Sequence, residues 1–442
     1  MHDVIIVGAR VAGSATALLL ARAGLKVLVV DRATFPSDTL STHQVQVPGV
    51  ARLARWGVLD PIMAAGTPPT RTVRFDHGAA AFSARMPASD GVDMMCSPRR
   101  TLLDKVLLDA ARAAGAEVRE NFITDDLLAD DGTVTGIRGQ EKGSLSVTER
   151  ASMVIGADGK HSTVARAVGA GSYRTSPPLS MAFYTYWADV PVTGGELYSR
   201  PGCAVGVWPT NDGLVMTYLA WPNARFAEFR ADPEGSFLRT LDAVGMGERV
   251  RAGRRAERFR GTPDLPSHFR KPYGPGWALV GDAGLLLDPI TGQGISDAFR
   301  DAELLAGAVV SALGGDHPLA KALAGYQRAR DRAARPMYDF TARLAVLRPP
   351  TRGRWPCSLR SPTASRTPTG SLPCWPVWCR CGSSCRRAMW SAWWACAGSP
   401  GWRSVRPGEA GRRRGLSRYG PPDLLGPKRV ALSRGAVPGF RP

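Results

Sequence analysis

After Asp3, Val4-Ile-Ile-Val7 is an unbroken apolar run, the pattern of a strand buried on both faces of a parallel sheet. A glycine turn, Gly8-Ala-Arg10-Val-Ala-Gly13, follows at once. Ser14 to Ala23 then has helical character, Gly24 stops it, and Lys26-Val-Leu-Val-Val30 reads as a second strand ending on Asp31. The same order returns late in the chain. Trp277-Ala-Leu-Val-Gly281 reads as a buried strand, Asp282 stands on the turn, and a loop through Gly284, Asp288-Pro289, Gly292 and Gly294 leads into a helix predicted from Ile295 to Leu313. Between the two lies a third acid–glycine turn, Gly156-Ala-Asp158-Gly159. Phe35 to His43 is a polar loop, Val50 to Leu59 a helix ending at Gly57, and Thr101 to Ala114 a helix with an apolar stripe at Leu103, Val106, Leu107 and Ala110. Gly115 to Val118 begins another strand, and Gly132 to Gly136 reads as a hairpin in a small antiparallel layer.

From 173 to 268 the pattern changes. Met181 to Trp187, Cys203 to Trp208 and Gly213 to Trp221 are β-branched and aromatic runs divided by turn residues, which predicts a meander of long strands. Tyr184, Tyr186, Trp187, Trp208, Tyr218 and Trp221 fill the sheet's core by default, with a substrate cavity as the alternative use. His317 to Leu347 is a basic amphipathic helix whose arginines are expected to form a solvated face.

Strand, glycine turn, helix, strand and then an acid is the context of a dinucleotide site, with Asp31, 23 residues after Gly8, available to a ribose diol. Arg32 stands beside it. Arg10 occupies the place where such turns have glycine so that backbone can approach a pyrophosphate. Its guanidinium either supplements the helix dipole at the phosphates or turns to solvent.

With these motifs in this order, residues 1 to about 347 resemble the FAD-dependent oxidoreductases built as p-hydroxybenzoate hydroxylase is, a group that includes geranylgeranyl-reductase-like enzymes. Gly8 to Gly13 resembles the family's ADP-binding turn. Val154 to Arg166 matches its acid–glycine motif, with Ser162 and Arg166 in the usual places. Gly281-Asp282 with Pro289 and Gly292-Gln-Gly294 resembles the stretch that binds ribityl and ribose oxygens, and Arg100 sits where the family often places an arginine near the flavin. The resemblance implies an α/β protein. Its Rossmann-like FAD-binding domain would comprise residues 1–172 and 269–348, with an inserted antiparallel β-sheet substrate domain at 173–268. It makes Gly8, Arg10, Gly13, Asp31, Arg32, Arg100, Asp158, Gly281, Asp282, Pro289, Gly292 and Gly294 the candidate cofactor-binding residues. Asp158 and Asp282 could instead cap the helices that follow them. The helix starting at Gly294 would place its positive end near the flavin pyrimidine and favour an anionic reduced ring.

The resemblance also implies that NAD(P)H reduces FAD transiently. The favoured activity is hydroxylation of an apolar or aromatic small molecule by an FAD-dependent monooxygenase. The alternatives are an FAD-dependent reductase of prenyl or other unsaturated chains and an inactive flavin-binding remnant. No second glycine motif follows a strand, which argues against a separate NAD(P)H domain, and Val207-Trp208-Pro209 lacks the tryptophan pair of halogenases of this fold. No catalytic side chain is singled out. Thr42 and His43 lie in a loop that approaches the flavin in relatives, but a solvent-facing histidine is the expectation.

The net charge of +19 would ordinarily suggest a nucleic acid partner, but it is unevenly placed. From Pro349 onward there are 17 basic residues and two acids, giving +15; residues 1–348 hold 40 and 36, giving +4. Residues 349–442 also hold six of the eight cysteines and seven of the twelve tryptophans. Zinc binding by Cys379, Cys381 and Cys385, and strand stacking on Trp390, Trp393 and Trp394, are weaker readings than an out-of-frame product of G·C-rich DNA that is largely unstructured. No nucleic acid, metal or membrane-span role is therefore expected. Cys96 and Cys203 suggest no disulfide framework. No apolar run reaches membrane length, and a strand starting at residue 3 leaves no room for a signal peptide, so a cytoplasmic enzyme is the expectation. Oligomeric state stays open. Resequencing the locus is expected to reveal a base gained or lost near codon 350; an intact frame, with this tail present in transcripts, would end the frameshift reading.

Overall fold

In the computed structural model the run that opens the chain becomes the central strand of a parallel sheet, His2–Val7, flanked by Val27–Val30 and Val147–Gly156. The structure describes residues 1–348; the tail and the expectations attached to it lie outside the described residues. The sheet continues to Glu117–Arg119 on one side and to Trp277–Leu279 and Tyr273–Gly274 on the other. The first strand is apolar from Val4 to Val7 because both its faces are covered there. Val4 and Ile6 join a core made with helices Val11–Arg22, Arg100–Ala113, Gly294–Leu313 and Leu319–Leu344, while Ile5 and Val7 join a second core with Phe122, Val134, Ile137 and Val164. That second face is closed by the antiparallel layer of Phe122–Asp130, Thr133–Glu141 and the start of Val147–Gly156. Its hairpin turns on Asp131 and Gly132, both at positive φ, as a two-residue turn that follows strand twist requires.

A separate large sheet, also of eight strands, runs Arg254–Arg255, Ser180–Ala188, Val215–Pro222, Cys203–Pro209, Gly195–Arg200, Thr72–Asp76 and Ala81–Arg85, with Arg260–Thr262 paired to Ser180–Ala188. The meander read from the sequence is there, with two differences. Thr72–Asp76 pairs in parallel with Gly195–Arg200, so residues 72–85 extend this sheet. Residues 226–252 form three short helices, Phe226–Ala231, Pro233–Ala243 and Gly247–Ala252, which cover one face. Side-chain parity divides the sheet. Met181, Trp187, Val205, Leu219 and Trp221 point to those helices, whereas Tyr184, Tyr186, Trp208, Met216 and Tyr218 point the other way, to Val47 and Ile290. Cys96 and Cys203 are buried free thiols, and no described helix is long and apolar enough to cross a membrane.

The helix Leu319–Leu344 corrects one expectation. It bears Pro336 in its interior, and its arginines are not all solvated, because Arg330 has no exposed surface. Two glycines separate close packing from helix propensity. A Cβ at Gly13 would stand 1.8 Å from Gly8 O, so Gly13→Ala should cost at least about 1–3 kcal/mol through overpacking. Gly307 has open space in a helix, so Gly307→Ala should stabilise by about 0.5–1 kcal/mol. Urea unfolding of both variants checks the opposite signs.

Candidate functional site

Parallel register brings three distant turns to one edge. Val7 pairs with Gly156, and Gly156 with Leu279, so the turns at Gly8, Asp158 and Gly281-Asp282 leave the sheet side by side at its carboxyl end, where open α/β sheets bind ligands. The crowding demands small residues. Gly8 has φ +105° and a Cβ there would stand 2.5 Å from Ala157 O; Gly281 has φ +61° and a Cβ would stand 2.7 Å from Ala12 Cβ. The helix Val11–Arg22 begins at the first of these turns and Gly294–Leu313 at the end of the loop that follows Asp282, both without a side-chain cap, leaving N–H groups for an electron-rich partner.

Asp282 and Gly294 are exposed, although their sequence neighbours Gly281, Ala283, Gln293 and Ile295 are buried. The protein mass around Asp282 nevertheless desolvates its carboxyl and pushes it up to about 6, with Arg100 opposing the shift and Asp297 adding to it. An accessible group so enclosed lies on the floor of a cleft. The loop after Asp282 closes on residues 44–46. Pro289 opens a single 3-10 turn capped by Asp288, whose Oδ1 accepts from Ile290 N at 3.0 Å. Gly292 has φ +61°, and Gln46 Nε2 donates to its carbonyl at 3.3 Å. Gln44 Nε2 and Gln46 Oε1 are buried without a protein partner.

The other candidates divide. Asp31 Oδ2 accepts from Ala9 N at 2.7 Å and Oδ1 from Ala33 N at 2.8 Å, so it ties the second strand's end to the glycine turn; Arg32 is exposed. Asp158 fits the capping alternative. Ser162 Oγ donates to Oδ1 at 2.5 Å and Thr163 N to Oδ2 at 2.6 Å, at the start of the helix Thr163–Ala167. Arg10 is not simply turned to solvent but held by protein partners. Its Nη1 lies 2.7 Å from Oδ2 of the fully buried Asp104, and its Nη2 donates to Ser37 Oγ at 3.2 Å. Arg100 grips the same carboxylate one helical turn away, at 2.9 and 3.0 Å. Asp104 thus joins the glycine turn to the arginine expected near the flavin. The sequence signal was present, since Arg100 and Asp104 stand at i and i+4 of an amphipathic helix.

His43 is not at the surface, as expected, but completely buried at φ +58°. Its Nε2 is hydrogen-bonded to Tyr186 Oη, and its Nδ1 has no partner. Burial, then the fields of Arg100, Arg99 and Arg260, hold its pKa well below the usual value, so the ring is neutral. Arg99 stacks over Tyr186 at 4.0 Å, and Ser41 N donates to Tyr184 Oη at 3.4 Å. Loop 41–47 is therefore fastened to the aromatic face of the large sheet. Trp187 and Trp221, on the opposite face, bond Thr217 and Thr240 and are core. Tyr218 Oη, on the aromatic face, is buried and unpartnered.

A family model described as an FAD binding domain matches residues 1–252. The digeranylgeranylglycerophospholipid reductase of Methanocella arvoryzae is 28% identical over 348 residues, which is 74% of this chain and 81% of that protein. The enzyme of the same name from Methanothrix thermoacetophila is 30% identical over 320 residues, covering 70% and 77%. Among solved structures, the myxobacterial chondrochloren halogenase superposes with a TM-score of 0.70 at 22% identity, covering 77% of this chain and 81% of that one. A probable FAD-dependent monooxygenase from Pseudomonas aeruginosa gives 0.68 at 23%, covering 78% and 95%. These two superpositions show a shared fold.

Because the Asp282 carboxyl titrates near 6 in the folded chain against an ordinary 3.8, the folded state holds its proton more tightly than the unfolded state. Its contribution to stability falls as pH rises from about 4 to about 6, and the penalty is complete above that. Asp282→Asn should therefore raise the melting temperature of flavin-free protein at pH 7.5 and leave it nearly unchanged at pH 4, as differential scanning calorimetry can show.

Proposed function

This chain belongs to the FAD-binding-domain family and is an FAD-dependent oxidoreductase, and from that premise we propose that it is an NAD(P)H-dependent monooxygenase hydroxylating an apolar or aromatic small molecule. The observation that carries this reading is the aromatic face of the large sheet. Tyr184, Tyr186, Trp208, Met216 and Tyr218 stand over Val47 and Ile290, the segments that flank the candidate flavin loop. Flat rings and a thioether suit a compact ring or short apolar chain, and the unpartnered Tyr218 hydroxyl offers one orienting hydrogen bond.

The residues present fit FAD. Gly8 and Gly13 allow the close turn at the pyrophosphate, the first turn of Val11–Arg22 faces it, and Asp31 retains lone pairs for a ribose hydroxyl. Asp282 would accept from the ribityl chain, Arg100 would supply a positive field, and Gly294 would place a helix N-terminus at the ring. Gln44 and Gln46 would meet the ring's polar edge with their unpaired amide atoms. When bound, FAD supplies hydride acceptance from NAD(P)H followed by either oxygen or hydride transfer. The chain's own part is orientation and exclusion of water. His43 stays neutral and is locked by Tyr186, so it adds no cation to a site that already faces Arg99, Arg100 and Arg260. We assign cofactor binding to residues 1–172 and 269–348 and the substrate wall to 173–268, with strands 72–85 extending it.

A second reading, reduction of isoprenoid double bonds, is favoured by the identity to the two archaeal reductases. Turnover of NAD(P)H with candidate substrates separates the two. The monooxygenase reading expects oxygen uptake and a labelled hydroxyl from isotopic oxygen, with no product formed anaerobically. Saturation of a double bond without oxygen would reverse the order. Tyr218→Phe should raise KM about fivefold with kcat little changed, in line with the loss of one neutral hydrogen bond.

A further inference from the structure

The helix Leu319–Leu344 lays one side along the segment that carries Asp282. Tyr326 Oη donates to Leu279 O at 2.9 Å, Arg330 Nη1 to Gly284 O at 3.2 Å, and Thr341 Oγ1 lies 2.9 Å from Thr291 Oγ1. Arg330 is the deepest of the three. Its Nη2 also donates to Arg270 O at 3.0 Å and to Tyr173 Oη at 2.8 Å, and Asp331 supplies the counter-charge at 2.9 Å. Arg270 works from the other side of the same turn, with its N donating to Gly284 O at 2.8 Å and its Nη1 to Ala283 O at 3.0 Å. The two carbonyls that follow Asp282 are thus both held by arginines. Gly284 leaves room for this, since a Cβ there would stand 3.1 Å from Arg330 Nη1.

A buried ion pair between Arg330 and Asp331 alone would be weak evidence of anything beyond packing. What singles this guanidinium out is that, besides Asp331 and the Tyr173 hydroxyl, it binds the backbone carbonyl of Gly284 and that of Arg270, the residue whose own N–H and Nη1 hold the same turn. We propose that Arg330 is a positioning residue for the Asp282 turn, coupling the last described helix to the flavin site. The inference rests on the assignment of Asp282 to FAD made above.

The test is a double-mutant cycle on the full-length holoprotein, with FAD dissociation read by recovery of flavin fluorescence on dilution. Asp282→Asn and Arg330→Gln should each weaken FAD retention about tenfold or more, the scale of losing a charge-assisted hydrogen bond. The double variant should be no worse than the weaker-binding single, because a displaced turn no longer presents Asp282. Additive losses of about a hundredfold, or no loss in Arg330→Gln while Asp282→Asn weakens binding, would overturn the role of Arg330. An unchanged Asp282→Asn would instead overturn the assignment beneath it. If Arg330→Gln does not fold, Arg330→Lys keeps the charge beside Asp331 but cannot span the Gly284 and Arg270 carbonyls, and the same non-additivity with Asp282→Asn is expected.

Discussion

The register of three parallel strands governs this molecule. Val7, Gly156 and Leu279 lie abreast, so the turns that follow them must share one edge of the sheet, although they are far apart in the chain. Each turn then has to be narrow enough for its neighbours. Gly8 and Gly281 take left-handed backbone against Ala157 and Ala12, and the helices that begin nearby keep their first N–H groups uncapped. An anion-friendly edge is thereby a result of sheet geometry, before any charged side chain is considered.

Charge is then distributed by how deeply each group is set. The surface pairs, such as Arg138 with Asp126, are half-exposed on both sides and add little. Those around the cleft are different. Burial, reinforced by Arg100, Arg99 and Arg260, keeps His43 neutral, while enclosure by protein raises Asp282 against the pull of Arg100. Each of these arginines is itself paired, Arg99 with Glu257, Arg260 with Asp38 and Arg100 with Asp104, so fixed ion pairs rather than free charges surround the Asp282 carboxyl. The opposite wall is built on another logic. Alternation along Ser180–Ala188 and Val215–Pro222 sends one set of aromatics into a helix-covered core and the other towards Val47 and Ile290.

Much of this was readable in the chain. The apolar run at residues 4–7, the helix after Gly294 and the order of the three acid–glycine turns follow from local periodicity and turn chemistry, and these set the sheet edge where the turns meet. What escaped depended on contacts between remote segments. Residues 226–252 fold as helices because Phe229, Phe237 and Leu241 cover the sheet's far face, a demand invisible in their own sequence. Arg330 looks like one more solvated arginine on a basic helix, and only Gly284 and Arg270 make it a buried one. His43 sits in a polar loop, yet its burial is imposed by Tyr186 from a strand that follows much later. Asp158 had two plausible uses, and the short helix after it claimed both oxygens.

Arg10 has a historical corollary. Glycine at this position would suit the turn, but Asp104 is wholly buried and shared between Arg10 and Arg100. Removing Arg10 alone would withdraw one of the three hydrogen bonds to a carboxylate with no access to water, while replacing Asp104 alone would leave two guanidinium groups facing each other. Neither residue can be exchanged first without loss. The pair is a one-way latch in sequence space, and descendants of this chain should keep the arginine in the glycine's place for as long as the aspartate remains.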